Sequence, residues 1–287
     1  MTDPVAFWRR LGLPGLVDVH THFMPDRVHA AVWKYFDEVE SSFGRPWPIH
    51  YREPVERRVE ILGELGVRHF SALLYPHKPG MAESLSEWAR GFAARTPGCA
   101  PTGTFYPEPS AARYVREALD AGTAVFKAHV QVGAYDPRDD LLDPVWGLLA
   151  ETGTPVVVHC GSGPMSGEFT GPGPFAQVLA RHPRLTAVIA HCGAPEYDEH
   201  LDLVERYPNV HVDTTMVGTA YLDEIAPLSA DVIARLGDLG DRVVLGSDFP
   251  NIPYPYGEQL RAIESWGHGD DWLRAVCWTN GARLLGV

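Results

Sequence analysis

The sequence predicts an α/β protein, a single-domain (β/α)8 TIM barrel that spans residues 1–287. Eight short apolar runs have the length and composition of strands, and amphipathic stretches separate them. Such alternation is typical of parallel strands joined by helical crossovers. A barrel of this kind takes about 250 residues, so the chain is long enough to close one.

The predicted elements follow one another without a linker, an internal repeat or a low-complexity segment. The first main helix illustrates the boundary signals, because it has a proline in its first turn and a glycine at its end. Strands are expected at residues 16–22, 67–75, 101–106, 123–129, 155–160, 186–191, 209–214 and 242–248. Helices are expected at residues 54–66, 82–95, 110–122, 143–153, 174–182, 196–207, 229–239, 257–266 and 270–285.

Three loops that follow predicted strands are unusually elaborate. Residues 23–53 are long and rich in aromatic side chains, residues 161–173 are rich in glycine and proline, and residues 249–257 are aromatic and stiffened by proline. Active sites of barrels are built from the loops at the carboxyl ends of the strands. The loops therefore favour a binding pocket, with a capping or oligomer surface as the alternative for the first of them.

Composition excludes several classes of partner. The formal net charge is −13 and no basic stripe is visible, which argues against nucleic acid and against an anionic membrane surface. No apolar run approaches the ~20 residues of a membrane span, and the N-terminus lacks a secretory signal. We therefore expect a cytoplasmic protein with a small-molecule substrate, and homo-oligomerisation stays open. The widely spaced cysteines indicate reduced thiols; they are Cys99, Cys160, Cys192 and Cys277.

The segment His20-Thr21-His22 ends the first predicted strand. In an extended strand, side chains two residues apart point to the same face, so the two imidazoles lie side by side. Two neutral ring nitrogens at that spacing form half of a site for zinc or a similar divalent ion.

Other predicted strands also end in residues that bind metals or transfer protons. Buried ionisable groups are costly unless they are paired or bound to a metal, so a convergence of such residues at one barrel mouth favours function. The residues of this kind are His20, His22, Lys127, His159, His191 and Asp248. His129 lies just past a strand end and is a candidate for substrate binding.

The order of these motifs resembles the amidohydrolase superfamily of metal-dependent barrels. The resemblance spans nearly the whole chain, from the H-x-H segment through Lys127 and the two later histidines to Gly246-Ser247-Asp248. The segments around His20 and Asp248 are similar to the branch that includes aminocarboxymuconate-semialdehyde decarboxylase and resorcylate decarboxylase.

The resemblance implies a ligand set and roles for the neighbouring residues. One divalent ion, zinc with manganese as the alternative, is expected on His20, His22, His159 and Asp248. His191 is expected to act as an acid/base that touches the substrate. Lys127 is expected to contact substrate or, if it is carboxylated as in two-metal members, to bridge a second ion.

The sequence thus predicts a metal-dependent hydrolase in which an activated water attacks a small organic substrate. Asp248 would take the proton of the water and His191 would steady the developing charge. A non-oxidative decarboxylase is the main alternative, hydratase or lactonase chemistry is also open, and a non-catalytic metal-binding barrel is a further class. Arg45 and Arg52 are either carboxylate clamps or a solvated pair, and Asp213 either makes a pocket hydrogen bond or caps its strand.

Overall fold

The computed structural model describes residues 2–287, without the side chains of residues 42 and 43. All paired strands are parallel, in the orders β1-β2-β3 and β4-β5-β6-β7-β8-β9. The strands are β1 (Leu16–Asp18), β2 (Val67–Ser71), β3 (Cys99–Ala100), β4 (Thr102–Thr104), β5 (Val125–His129), β6 (Val156–His159), β7 (Ala187–Ile189), β8 (Val210–Asp213) and β9 (Val243–Val244).

Backbone hydrogen bonds close these strands into a barrel. The amide of Val19 donates to the oxygen of Leu245 at 2.9 Å, and the amide of Asp248 donates to the oxygen of His20 at 2.9 Å. The last strand is therefore joined to the first. The segments β3 and β4 flank Pro101, which has no N–H to donate, and together they form the third strand of the barrel.

Helices surround the strands and connect them. They are α1 (Pro4–Arg10), α2 (Asp26–Glu38), α3 (Glu40–Phe43), α4 (Val55–Leu65), α5 (Ala82–Arg95), α6 (Ala111–Asp120), α7 (Val130–Gly133), α8 (Asp143–Thr152), α9 (Pro172–Arg181), α10 (Tyr197–Arg206), α11 (Ala220–Asp223), α12 (Ala230–Asp238), α13 (Gly257–Ser265), α14 (Asp270–Arg274) and α15 (Asn280–Leu285). A π-helical turn (Ala275–Thr279) joins the last two.

The (β/α)8 prediction is confirmed, and every predicted strand has a counterpart. Regular pairing is shorter than predicted, because the ends of most strands bend into the loops of the mouth. The first elaborate loop is also more ordered than predicted, since it contains α2 and α3. Most side chains of α2 are at least partly exposed, and its apolar side is a narrow stripe of Val28, Val32 and Phe36 that packs against buried clusters.

Alternation along the strands directs two predicted site residues into the barrel. Val125 and Val157 belong to a buried cluster formed by residues on the inner face of the strands. The residues between them and the mouth, Phe126 and Val158, pack instead in the cluster shared with the helices. Lys127 and His159 follow the interior positions by two residues and so extend into the mouth.

None of the described helices combines the length and apolar character needed to cross a bilayer.

Candidate metal centre at the barrel mouth

Three side chains bring potential ligand atoms together at the mouth. His20 and His22 follow β1 and Asp248 follows β9, and their ligand atoms lie within 4.8 Å of one another. The Nε2 atoms of His22 and His20 are 2.9 Å and 3.3 Å from Oδ1 of Asp248. Two imidazoles and one carboxylate are donors that suit zinc or manganese.

Hydrogen bonds behind each ring turn the Nε2 atoms of the histidines toward Asp248. Nδ1 of His22 lies 3.0 Å from the backbone oxygen of Leu73, and Nδ1 of His20 lies 2.8 Å from Oδ2 of Asp213. Because both partners accept, each Nδ1 carries the proton and each Nε2 keeps its lone pair. Two lone pairs therefore face a carboxylate oxygen, an arrangement that a cation satisfies. The residues present fit a divalent ion.

The electrostatics favour the protonation states that metal ligands require. Burial opposes the ionisation of Asp248, but the neighbouring histidines His191, His22 and His20 outweigh it and hold the pKa of the carboxyl well below its usual value. Burial and the positive charge of Lys127 lower the pKa of His20 to about 4, against the pull of Asp213. An ionised carboxylate beside a neutral imidazole results at neutral pH.

Lys127 lies against the same cluster. Its side chain is fully buried, and Nζ is 3.1 Å from Nε2 of His20. Burial lowers the pKa of Lys127 to about 8, although Asp213 and Asp248 oppose the shift. The amine therefore uses the lone pair that would bind a metal ion, and an ion bound at His20 would replace this hydrogen bond.

His191 reaches the mouth through an unusual backbone. It lies in a 3-10 turn (Ala190–Gly193) with φ of 54°, and left-handed backbone at a non-glycine residue is concentrated at functional sites. Its amide donates to Oδ1 of Asp213 at 2.8 Å, and its Nδ1 lies 3.1 Å from the oxygen of Thr215. The Nδ1 proton is thereby engaged, which leaves Nε2 for a substrate or a proton.

Asp213 links the metal-binding side of the site to the acid/base side. One carboxylate oxygen faces His20, and the other accepts from the amides of His191 and Thr215. Of the two roles considered for Asp213, the structure shows pocket hydrogen bonds. The sequence carried no signal that would choose between them, because the partners come from three different strands.

His159 lies beside the three-residue cluster rather than inside it. Its Nε2 is 2.9 Å from the backbone oxygen of Gly163, so this nitrogen carries the proton and Nδ1 is the atom left for an ion. The ring centroid of His159 is 4.8 Å from that of His191 and 4.1 Å from that of His129. Its role as a fourth ligand stays a prediction.

His129 and Tyr75 complete a continuous wall of rings. His129 stacks on His159 and its centroid is 4.6 Å from that of Tyr75, whose ring stands at 90° to His22. His129 is thus in the mouth, as expected of a residue that contacts substrate. Tyr75 was missed by the sequence reasoning, and its one signal was that the second predicted strand ends on it.

The two candidate carboxylate clamps are already paired. Arg52 binds Oδ1 and Oδ2 of Asp37 at 2.6 Å and 3.1 Å, and two fifths of its side chain is exposed. Arg45 lies 3.0 Å from Glu224 and over the ring of Tyr221. No described contact therefore joins either guanidinium to the metal cluster. The substrate role of Arg52 stays a prediction.

A parallel barrel with histidines and an aspartate gathered at its carboxyl-terminal mouth defines a class of metal-dependent enzymes. The family model described as amidohydrolase matches residues 17–287, and the chain belongs to this family. The superfamily is metal-dependent and has both decarboxylase and hydrolase members. Among proteins with curated functions, none matches the sequence.

Solved structures share the fold. An uncharacterized TIM-barrel protein from Bordetella bronchiseptica has a TM-score of 0.74 at 20% identity, over 94% of this chain and 99% of that one. A manganese-bound 5-carboxyvanillate decarboxylase from Novosphingobium aromaticivorans has a TM-score of 0.65 at 15% identity, over 96% and 98%. A probable 2-pyrone-4,6-dicarboxylic acid hydrolase from Acinetobacter baumannii has a TM-score of 0.64 at 12% identity, over 95% and 100%.

Proposed function

We propose that the protein is a metal-dependent hydrolase that cleaves a C–O or C–N bond of a small organic substrate. The observation that carries the proposal is the contact of one carboxylate, Asp248, with the Nε2 atoms of both His20 and His22. The ring centroid of His191 lies 5.2 Å from that of His20. Metal donors and a pair of proton-transfer groups therefore share one small space.

His20, His22 and Asp248 would hold the ion, and His159 would join them through Nδ1. A divalent ion at this position supplies Lewis acidity, which polarises a carbonyl and lowers the pKa of water. We propose zinc, with manganese as the alternative that the manganese-bound neighbour supports. Elemental analysis of protein purified without chelators tests this, and we expect close to one ion per chain.

The side chains then divide the proton transfers. Asp248 is ionised at neutral pH, so its free oxygen accepts a proton from the attacking water and passes it to the leaving group. His191, with Nδ1 held by Thr215, presents Nε2 to the oxygen on which negative charge develops. Asp213 forms hydrogen bonds with His20 and with the amide of His191. These bonds keep the metal-binding residues and the acid/base residue at a defined distance from each other.

Decarboxylation of a carboxylic acid is the second candidate. Two observations favour it: the solved neighbours include a 5-carboxyvanillate decarboxylase and a 2,6-dihydroxybenzoate decarboxylase, and the buried amine of Lys127 could balance a substrate carboxylate. Against it, Arg52 forms an ion pair with Asp37. No described contact of Arg52 therefore places a second cation beside Lys127 for an acidic substrate.

Products separate the two reactions. The metal-loaded enzyme would be assayed on esters, lactones, amides and hydroxylated aromatic acids in water enriched in ¹⁸O. Hydrolysis places ¹⁸O in the product acid, whereas decarboxylation releases carbon dioxide and forms a new C–H bond. Carbon dioxide release without ¹⁸O-labelled acid would overturn the hydrolase proposal. Turnover of every class at the rate of metal-free protein would overturn both.

Arg52→Ala adds a second criterion once a substrate is known. If Arg52 leaves Asp37 to bind a substrate carboxylate, the variant should weaken binding by about 1.5–3 kcal/mol, the scale of a charge-assisted hydrogen bond. If the substrate is neutral, KM should be nearly unchanged, because an exposed ion pair contributes little.

A further inference from the structure

The loop that carries Asp248 is held in a strained shape. Asp248 has φ of 69°, a left-handed backbone that costs a non-glycine residue about 1–2 kcal/mol unless its surroundings impose it. The amide of Asn251 donates to the backbone oxygen of Asp248 at 2.8 Å and closes the turn. Asn251 therefore helps to hold Asp248 in the conformation that faces His20 and His22, together with the bonds that join this segment to the first strand.

The side chain of Asn251 is fixed from the first elaborate loop. Its Oδ1 lies 3.0 Å from Nε1 of Trp33 and 3.2 Å from Nε2 of His29, both on α2. The ring N–H of Trp47 donates to the backbone oxygen of the same residue at 2.6 Å. One asparagine thus receives donors from three side chains of residues 23–53.

A buried cation lies against the ring of His29. NH1 of Arg58, on α4, lies 2.7 Å from Nδ1 and 3.3 Å from Nε2 of His29. Because Oδ1 of Asn251 only accepts, the neutral ring carries its proton on Nε2, where it faces Asn251, and Nδ1 beside Arg58 is unprotonated. Burial, followed by the charge of Arg58, lowers the pKa of His29 to about 3, which keeps the ring neutral.

Arg58 has no structural partner that would explain it as an ion pair. It is 2% exposed, and no described carboxylate lies within salt-bridge distance of it. Its Nε has no hydrogen-bond partner, and the rings of Phe23 and Trp33 lie 5.4 Å from its guanidinium carbon. Asp26 and Glu56 act on its charge only from beyond salt-bridge distance, so the contact with His29 stands out as its specific polar contact.

We propose that Arg58, His29 and Asn251 form a positioning relay that sets Asp248 for metal binding. Arg58 contacts the ring of His29, Nε2 of His29 donates to Asn251, and Asn251 helps to hold the left-handed turn at Asp248. The relay joins α2 and α4 to the metal centre, so the long first loop contributes to ion affinity. The inference rests on the proposed metal dependence, but not on which bond is cleaved.

The test measures Mn²⁺ affinity of metal-free protein, from the electron paramagnetic resonance signal of free Mn²⁺ during titration. His29→Leu removes both hydrogen bonds and should weaken Mn²⁺ binding about 10-fold or more, as expected when groups behind metal ligands are lost. His29→Gln can accept from Arg58 and donate to Asn251, so it should restore affinity to within a few-fold of the unaltered protein.

A matched pair on α4 supplies the control. Arg58→Met should weaken Mn²⁺ binding, whereas Arg57→Met should not, because Arg57 pairs with Glu60 and Glu64 on the exposed side of the same helix. The melting temperature of each metal-free variant is measured separately, so loss of folding is distinguished from loss of affinity. If His29→Leu does not fold, Trp33→Phe removes one donor to Asn251 and should still lower affinity.

The outcomes separate two failures. If the unaltered protein binds no divalent ion, the proposed metal dependence is wrong. If it binds Mn²⁺ and the folded variants bind it equally well, the relay is wrong and the proposed function stands. Weak binding by both His29→Leu and His29→Gln would also overturn the relay, because packing rather than hydrogen bonding would then be responsible.

Discussion

At the scale of residues, the site depends on single buried charges that have specific partners. Asp213 is inaccessible to solvent, and its two oxygens bind a ring nitrogen of His20 and the amides of His191 and Thr215. Each partner offsets part of the cost of burying a carboxylate. Removing any one partner therefore leaves part of that cost uncompensated and lets the carboxylate move relative to His20 and His191.

The ligand assignment predicts different behaviour for two variants. His22→Ala should lower metal occupancy, because it removes one of the three clustered donors. Asp248→Asn should retain part of the metal through its amide oxygen but lose the proton acceptor, so kcat should fall by ~10² or more. Metal content and kcat, measured on the same preparations, check both.

His182→Ala is a suitable control for the ligand variants. His182 pairs with Asp143 on the outer helices, away from the mouth, so its loss should leave metal content unchanged. Normal turnover by metal-loaded Asp248→Asn would contradict the role assigned to that carboxylate.

His29 predicts a stability change with pH. Its pKa is about 3 in the folded protein against the ordinary value of 6.5, because it is buried and lies beside Arg58. Between these values the unfolded chain binds the extra proton, so this group stabilises the fold above pH 6.5 and the stabilisation is lost as pH falls toward 3. Relative to His29→Gln, the protein should lose about 2 kcal/mol more between pH 7 and pH 5.

Denaturant unfolding of both proteins at several pH values measures this difference. Other buried histidines titrate in both proteins and cancel in the comparison. Equal slopes of unfolding free energy against pH would contradict the lowered pKa, because His29 would then bind a proton as readily in the folded state as in the unfolded chain.

At the scale of elements, the loops after β6 and β7 are locked together. Ser162 donates to Glu196 through its hydroxyl and its amide, and the amide of Gly163 donates to Ala194 at 3.0 Å. Gly161 packs directly against this backbone. Because His159 and His191 precede these loops, the hydrogen bonds between the loops set the distance between the two rings.

Gly161→Ala should therefore disturb the site. A Cβ at Gly161 would lie 2.6 Å from the oxygen of Ala194, which is closer than backbone atoms tolerate, so the two loops must separate. We expect a loss of about 1–3 kcal/mol in unfolding free energy together with a fall in kcat. Thermal unfolding and steady-state kinetics measure the two effects.

Gly63→Ala is the matched control. Gly63 lies in α4 with open space around the position of a Cβ, so alanine should stabilise the helix by about 0.5–1 kcal/mol and leave kcat unchanged. An unaltered kcat in Gly161→Ala would mean that the contact between the two loops does not position the histidines.

At the scale of the whole molecule, the metal centre lies where the first and last strands of the barrel meet. His20 and His22 follow the first strand and Asp248 follows the last, and backbone hydrogen bonds join the same segments. The ligand cluster exists only when the barrel is closed. Metal binding and folding are therefore thermodynamically linked.

Chelation should destabilise the protein. With free ion at about 100 times its dissociation constant, a single site that exists only in the folded state adds about 2.7 kcal/mol to the unfolding free energy. The melting temperature should fall on removal of the metal and rise again as Mn²⁺ or Zn²⁺ is titrated back. A melting temperature independent of ion concentration would contradict a site formed by barrel closure.

The sequence by itself determined the barrel and the positions from which the site is built. Strand and helix periodicity locate the eight units, and alternation within a strand places Lys127 two residues beyond Val125 on the interior face. The H-x-H spacing likewise brings His20 and His22 within 5.1 Å of each other. These are local relations, which a chain encodes without knowledge of its distant parts.

Only the tertiary structure decided how those positions interact. The pairing of Arg52 with Asp37, the bridging role of Asp213 and the approach of Tyr75 to His22 all join segments that no local pattern relates. Helix α2 was missed although Val28, Val32 and Phe36 recur at helical spacing and pack against buried clusters, because the segment was interpreted as an aromatic-rich loop. The closed barrel determines where the side chains of left-handed residues point, which hydrogen bonds they make and how deeply they are buried. These three properties determine the protonation states on which the site depends.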